Sequence, residues 1–262
     1  MTGAPLPQST PRSHWSVLSV GGHVCEVYEP PQPQPGRTVI FLHGVDEQPL
    51  VSAAGLRDAI EAAGLPAIAP RTGRSWWLDK IMPSFDKAIT PERFVIEHVR
   101  AEIQRRWGVK PPGIAIIGTG MGGQGALRIA YRHPTIFPVS AALAPAIDFH
   151  LAMRECDDRE DGESYDTLWE TYGDVERARQ DTAILHVHPL NWPRHQWFAS
   201  HPTDIYWHDG ATRLHSKLRA LGIPHTAVLD APGVGDANQS QIARDAIRFI
   251  LDALDQESRR FA

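Results

Sequence analysis

Only two cysteines occur in 262 residues, Cys25 and Cys156, which leaves no material for a disulfide framework. They lack a CxxC spacing and outline no zinc site, so both read as buried or half-buried thiols. Long apolar runs are missing as well. No stretch approaches the roughly 20 residues needed to cross a bilayer, and Met1 to Trp15 has neither a basic start nor an apolar core. Membrane insertion and secretion are therefore not expected, and the reading places the chain in the cytoplasm. An excess of positive charge is absent too. With 26 Lys and Arg against 31 Asp and Glu, the net charge is −5. The field that gathers nucleic acid or an anionic membrane is lacking, and neither is an expected partner. What is present, 42% apolar and 22% charged residues, is the balance of a globular chain long enough for one large domain.

Punctuation along the chain gives an alternating rhythm of strands and helices. His14 to Val20 and His23 to Tyr28 flank Gly21-Gly22, which suits a tight hairpin. After a proline-rich loop, Thr38 to Leu42 is a continuous apolar run, as expected of a strand covered on both faces. Ser52 to Ala63 has helical spacing and ends at Gly64, and Leu65 to Ala69 reads as a strand. Pro91 to Trp107 is a helix with Thr90 as its cap, Glu92 in its first turn and Gly108 after it. Strand Gly113 to Ile117, helix Gln124 to His133 and strand Val139 to Leu143 follow. Strand His195 to Ser200, helix Thr212 to Leu221, strand His225 to Leu229 and helix Ser240 to Leu254 complete the series. The interval 149–193 breaks the rhythm and carries the acidic cluster Asp157, Asp158, Glu160, Asp161 and Glu163, so it reads as an inserted cap.

The turn Gly118-Thr119-Gly120-Met121-Gly122 joins a buried strand to a helix and has glycines where a G-x-S-x-G nucleophile elbow places them. Its central position is Gly120. Glycine adopts positive φ without strain, so it keeps such a turn while removing the chemistry. A phosphate-cradling loop is the rival reading. It fails as G-x-x-x-x-G-K-[ST] for want of a lysine. The run Gly118, Gly120, Gly123 fits G-x-G-x-x-G formally, but on a middle strand and without the acidic residue about 20 positions later.

The segment Ile117 to Leu127, IGTGMGGQGAL, resembles the G-x-S-M-G-G-x-G-A-L signature of the esterase D / S-formylglutathione hydrolase group of α/β hydrolases. Phe41-Leu42-His43-Gly44 is similar to that family's oxyanion strand, Ser75-Trp76-Trp77 to its S-W-[YW] segment and Arg132-His133-Pro134 to its R-H-P. Leu214 to Leu218 and Gly222 to His225 resemble its L-H-x-K-L and G-I-P-H. The resemblance implies an α/β-hydrolase fold over residues 1–262, with a mostly parallel eight-stranded sheet, helices on both faces and the insertion at about 149–193.

It also implies where a triad belongs. The nucleophile position is Gly120, and the histidine position, in the family's P-G-G-H, is Gly235 within Pro232-Gly233-Val234-Gly235. The acid position is Asp204 in preference to Asp209, which stands where it can cap the helix from Thr212. Thr119 lies one residue out of register and is expected to point along the strand. A hydroxyl and an imidazole cannot be supplied by glycine, so serine catalysis is expected to be lost. The backbone amides near Val45, after His43-Gly44, and at Met121 remain as a candidate oxyanion hole. Trp76 and Trp77 either line the pocket mouth or pack the cap. His186, His188, His195, His201 and His208 cluster in sequence without HExxH, so no metal and no cofactor is expected. The resulting expectation is a catalytically degenerate esterase relative that binds a small neutral or zwitterionic ligand or a protein partner. Two alternatives stay open: an active ester or thioester hydrolase using another base or a metal, with His201, His208 and Asp204 involved, or an ester hydrolase inactivated by deliberate exchange. Oligomeric state is not legible.

Overall fold

A computed structural model describes residues 14–155, 163–204, 207–231 and 236–260. Eight strands form one sheet in the order β1-β2-β4-β3-β5-β6-β7-β8. β1 (Trp15–Val20) and β2 (His23–Tyr28) form the antiparallel edge, Trp15 opposite Tyr28, with Gly21 and Gly22 both at positive φ in the turn. β2 runs antiparallel to β4 (Ala67–Pro70). From there β3 (Thr38–Leu42), β5 (Ile114–Thr119), β6 (Val139–Leu143), β7 (His195–Ala199) and β8 (Thr226–Val228) are parallel. All five residues of β3 are buried, as a strand covered on both faces requires.

Two apolar layers cover the sheet. On one side α1 (Ala54–Ala63) packs against α9 (Asp236–Arg259), and Ile60, Ala246 and Ile250 join Val39, Phe41 and Ile117 from the strands. On the other side α2 (Pro91–Phe94), a π turn at Val95–Val99 and α3 (Arg100–Trp107) run as one helix that contributes Phe94, Val95, Val99 and Ile103. Thr90 caps it by accepting a hydrogen bond from Arg93 N at 3.1 Å, and Gly108 closes it in the left-handed conformation. α4 (Met121–Arg132) and α8 (His208–Ala220) complete that face.

The insertion folds as α5 (Phe149–Glu155), α6 (Glu163–Tyr172), α7 (Val175–Arg179) and a 3-10 turn at Ala183–His186. It is anchored to α4 through polar and apolar contacts. Gln124 Oε1 accepts from Ala183 N, and Arg128, 1% exposed, donates to both the carbonyl and the carboxylate of Asp181.

Two boundaries differ from the sequence reading in an instructive way. α4 begins at Met121, three residues before the expected start, because Gly122 and Gly123 belong to the helix despite their low propensity. α8 begins at His208, so Asp209 lies on an exposed face in the first turn and does not cap a helix from Thr212.

Candidate functional site

The carboxyl ends of the parallel strands converge, as in open α/β sheets generally, at the switch point where the chain moves from β3 and β4 to β5. A cavity of about 770 Å³ opens there. Its wall includes Asp46 after β3, Thr119 and Gly120 after β5, Ala144 after β6, and Ser200, His201 and Asp204 after β7, closed by the starts of α1 and α9.

Gly120 sits at φ 53°, ψ −114°, a conformation nearly exclusive to glycine, and ends β5 with an abrupt turn into α4. Its amide donates to Leu143 O at 2.9 Å, and its carbonyl accepts from Gln124 N and Ala146 N. The backbone there is thus fixed on both sides. A Cβ added to Gly120 would meet nothing within 4 Å, so space for a side chain remains. The flanking glycines are the reverse. A Cβ on Gly118 would lie 2.1 Å from Gly122 O, and one on Gly122 would lie 1.9 Å from Leu42 O. Strand β5, helix α4 and the end of β3 touch through bare backbone.

Beside the elbow, β3 leads into His43, Gly44 and Val45. His43 is buried, its Nε2 accepting from Thr72 N at 3.3 Å, so Nδ1 carries the proton and donates to Gly44 O at 2.9 Å. Burial holds its pKa below the usual histidine value. His43 is therefore neutral and structural, shaping the loop. Among the described residues no acceptor meets the amide of Val45 or of Met121, which stands at the first position of α4, and His43, Gly44, Val45 and Met121 lie next to the cavity wall without lining it.

Trp76 and Trp77 are fully buried and absent from this cavity's wall, so of the two expectations, lining the mouth or packing the cap, the burial of the pair goes with packing. Both have positive φ, 52° and 55°, and this backbone turns their rings inward. Trp77 Nε1 donates to His43 O at 3.2 Å, and its side chain fills the space that a Cβ on Gly125 would need. Trp76 donates its amide to Met121 Sδ and stacks loosely on Phe149 and Tyr165 of the insertion. The pair packs beneath the His43-Gly44 loop and the start of α4. None of the described insertion residues lines the cavity.

Asp204 lies on the cavity wall, with Trp207 N and His208 N donating to its carbonyl, whereas Asp209 does not reach the wall. Gly235 falls outside the described residues, shortly beyond Ala231 on the wall. Thr119, at the end of β5, is among the wall residues. Sequence reasoning missed Ser200, which is 2% exposed and whose Oγ has no hydrogen-bond partner among the described residues. The only signal for it was its place one residue beyond β7.

The histidines remain apart. His186 ends a 3-10 turn beside Asp181, His195 contacts Glu257, and His201 Nδ1 accepts from Thr203 N. Among the described residues no three His, Cys, Asp or Glu side chains are grouped to hold a metal.

Residues 23–196 match the family model described as "Putative esterase". None of the curated proteins matches the chain. Among solved structures, an S-formylglutathione hydrolase from Agrobacterium tumefaciens is similar at 18% identity and TM-score 0.70, with 88% of this chain and 90% of that one covered. FphF, a fluorophosphonate-binding serine hydrolase of Staphylococcus aureus, superimposes with TM-score 0.71 at 14% identity, covering 92% and 99%. Mycobacterium tuberculosis MPT51 (FbpC1) does so with TM-score 0.67 at 16% identity, covering 95% and 100%.

Proposed function

Because this chain belongs to the esterase family of α/β hydrolases, we propose that it is an esterase-like protein that has lost serine-hydrolase catalysis and keeps the elbow cavity for binding. The observation that carries this reading is Gly120 itself. The elbow conformation is kept, with room for a side chain, and the residue that would attack an acyl carbon is glycine. Without a hydroxyl no acyl-enzyme forms, and with glycine also at position 235 no imidazole is supplied there to take a proton.

What remains favours recognition of a polar, uncharged acyl group. The amides of Val45 and Met121, each one residue from a wall position, Asp46 and Gly120, are donors suited to a carbonyl oxygen, and Ser200 on the wall carries a further donor or acceptor in its Oγ. Asp46 and Asp204 on the same wall oppose an anion, so a small neutral or zwitterionic ligand is favoured over a carboxylate. His201 does not revive the base chemistry. Its Nδ1 accepts from Thr203 N, so in the neutral ring Nε2 carries the proton and acts as a donor.

Titration calorimetry with a short-chain ester, its amide and the corresponding free acid tests this reading. The ester and amide should bind without turnover and the acid more weakly, with Ser200→Ala reducing ester binding several-fold. Equal binding of the acid, or ester turnover that persists with a chelator present, would overturn it.

A further inference from the structure

A second cavity, of about 580 Å³, lies away from the elbow between the insertion and α4. Its wall carries four cations, Lys80, Arg128, Arg132 and Arg177, against two carboxylates, Asp79 and Asp181. This local excess occurs in a chain whose net charge is −5, so it does not follow from general basicity.

Both carboxylates are already engaged. Asp181 accepts from Arg128, from His186 and from the Tyr172 hydroxyl, and these partners outweigh its burial and hold its carboxyl far below the ordinary range. Asp79 accepts from Thr90 Oγ1 at 2.8 Å and from Arg132 at 3.0 Å. The guanidinium of Arg128, 1% exposed, is held rigidly between Asp181 and the buried Glu92. Its named bonds leave one N–H unused on each terminal nitrogen. Lys80 and Arg177 make no ion pair among the described residues. The cavity is thus polar, with its acceptors spent and its donors in surplus.

We infer that this cleft is a second binding site, for a compact dianion of the phosphate-monoester class. Lys80 comes from the loop after the tryptophan pair, Arg132 from α4 and Arg177 from α7. Arg132 is already shared between Asp79 and the buried Glu92, so the cations left to meet a ligand are Lys80 and Arg177, and a group that concentrates two charges on one centre can be met by both together. The volume exceeds that of a bare phosphate and accommodates an organic portion against Tyr172 and Thr171. Occupancy would tie the insertion to the body of the fold, since the cations stand on both.

Titration calorimetry with glycerol 2-phosphate, inorganic phosphate and succinate, at constant ionic strength set with chloride, tests the inference. Expected is saturable binding of glycerol 2-phosphate that weakens about tenfold or more in Lys80→Ala/Arg177→Ala, a variant altered only at exposed, unpaired side chains. Thermal unfolding of the variant without ligand should match the parent. Absence of saturable binding through the millimolar range, equal binding by the variant, or succinate binding as tightly as the phosphate ester would each overturn it.

Discussion

On the proposed function, the backbone geometry of an elbow and the chemistry of a nucleophile come apart at Gly120. The φ of 53° at Gly120 costs glycine little, while any other residue there stores strain. Gly120→Ser should therefore destabilise the fold by about 1 to 2 kcal/mol, from backbone strain alone, because its Cβ meets no neighbour. Gly122→Ala should be far worse, above about 4 kcal/mol, since its Cβ would overlap Leu42 O. Urea unfolding of the two variants checks both values, and equal losses would show that close approach at Gly122 is not what the turn requires. At this scale the sequence was informative where the backbone carries the meaning. The glycines of the turn and the His43-Gly44 loop were legible as motif. The tryptophans were not, because their inward direction depends on two consecutive positive φ values that no apolar pattern encodes.

Between elements, the insertion is held by charge as much as by apolar packing. Arg128 joins Glu92 behind it to Asp181 in front, and Arg132 and His133 also reach Glu92. Burial works against the charged Glu92, but His133 and the two arginines outweigh it and lower its pKa. Asp181→Asn leaves the interior guanidinium short of a partner and should cost about 3 kcal/mol near neutral pH. The sign of the pH effect follows from the depressed folded-state pKa of Asp181. Its contribution is fully present above the unfolded value of about 4 and is lost as pH falls from there through the folded value. Acid unfolding of Asp181→Asn should accordingly show a shallower loss below about pH 4 than the parent, and parallel curves would remove Asp181 from the account. The break in rhythm at 149–193 set the segment apart in the sequence but did not show where it docks. Contacts such as Arg128 to Asp181 join residues 53 apart in sequence and leave no local signature.

Over the whole molecule, strand order and helix layers follow from punctuation that could be read directly, such as Thr90, Gly64 and Gly108, and β3 and β6 fall where their apolar runs placed them. The cavity was less legible, since Asp46, Thr119, Ser200 and Asp204 meet only when three separate strand ends are brought together. No helix among the described residues is long and apolar enough to cross a membrane. If the scaffold is intact and only two side chains are missing, Gly120→Ser alone should stay unreactive for want of a base, and adding Gly235→His should bring ester turnover above the parent. Failure of the double variant despite a native unfolding curve would mean that the site has drifted beyond those two positions. The central claim, that the elbow persists without its nucleophile, is tested most directly by intact-mass spectrometry of the unaltered chain after exposure to a fluorophosphonate. The account predicts an unchanged mass; a stoichiometric adduct mapped to residues 118–122, or to any residue of the cavity wall, would contradict it.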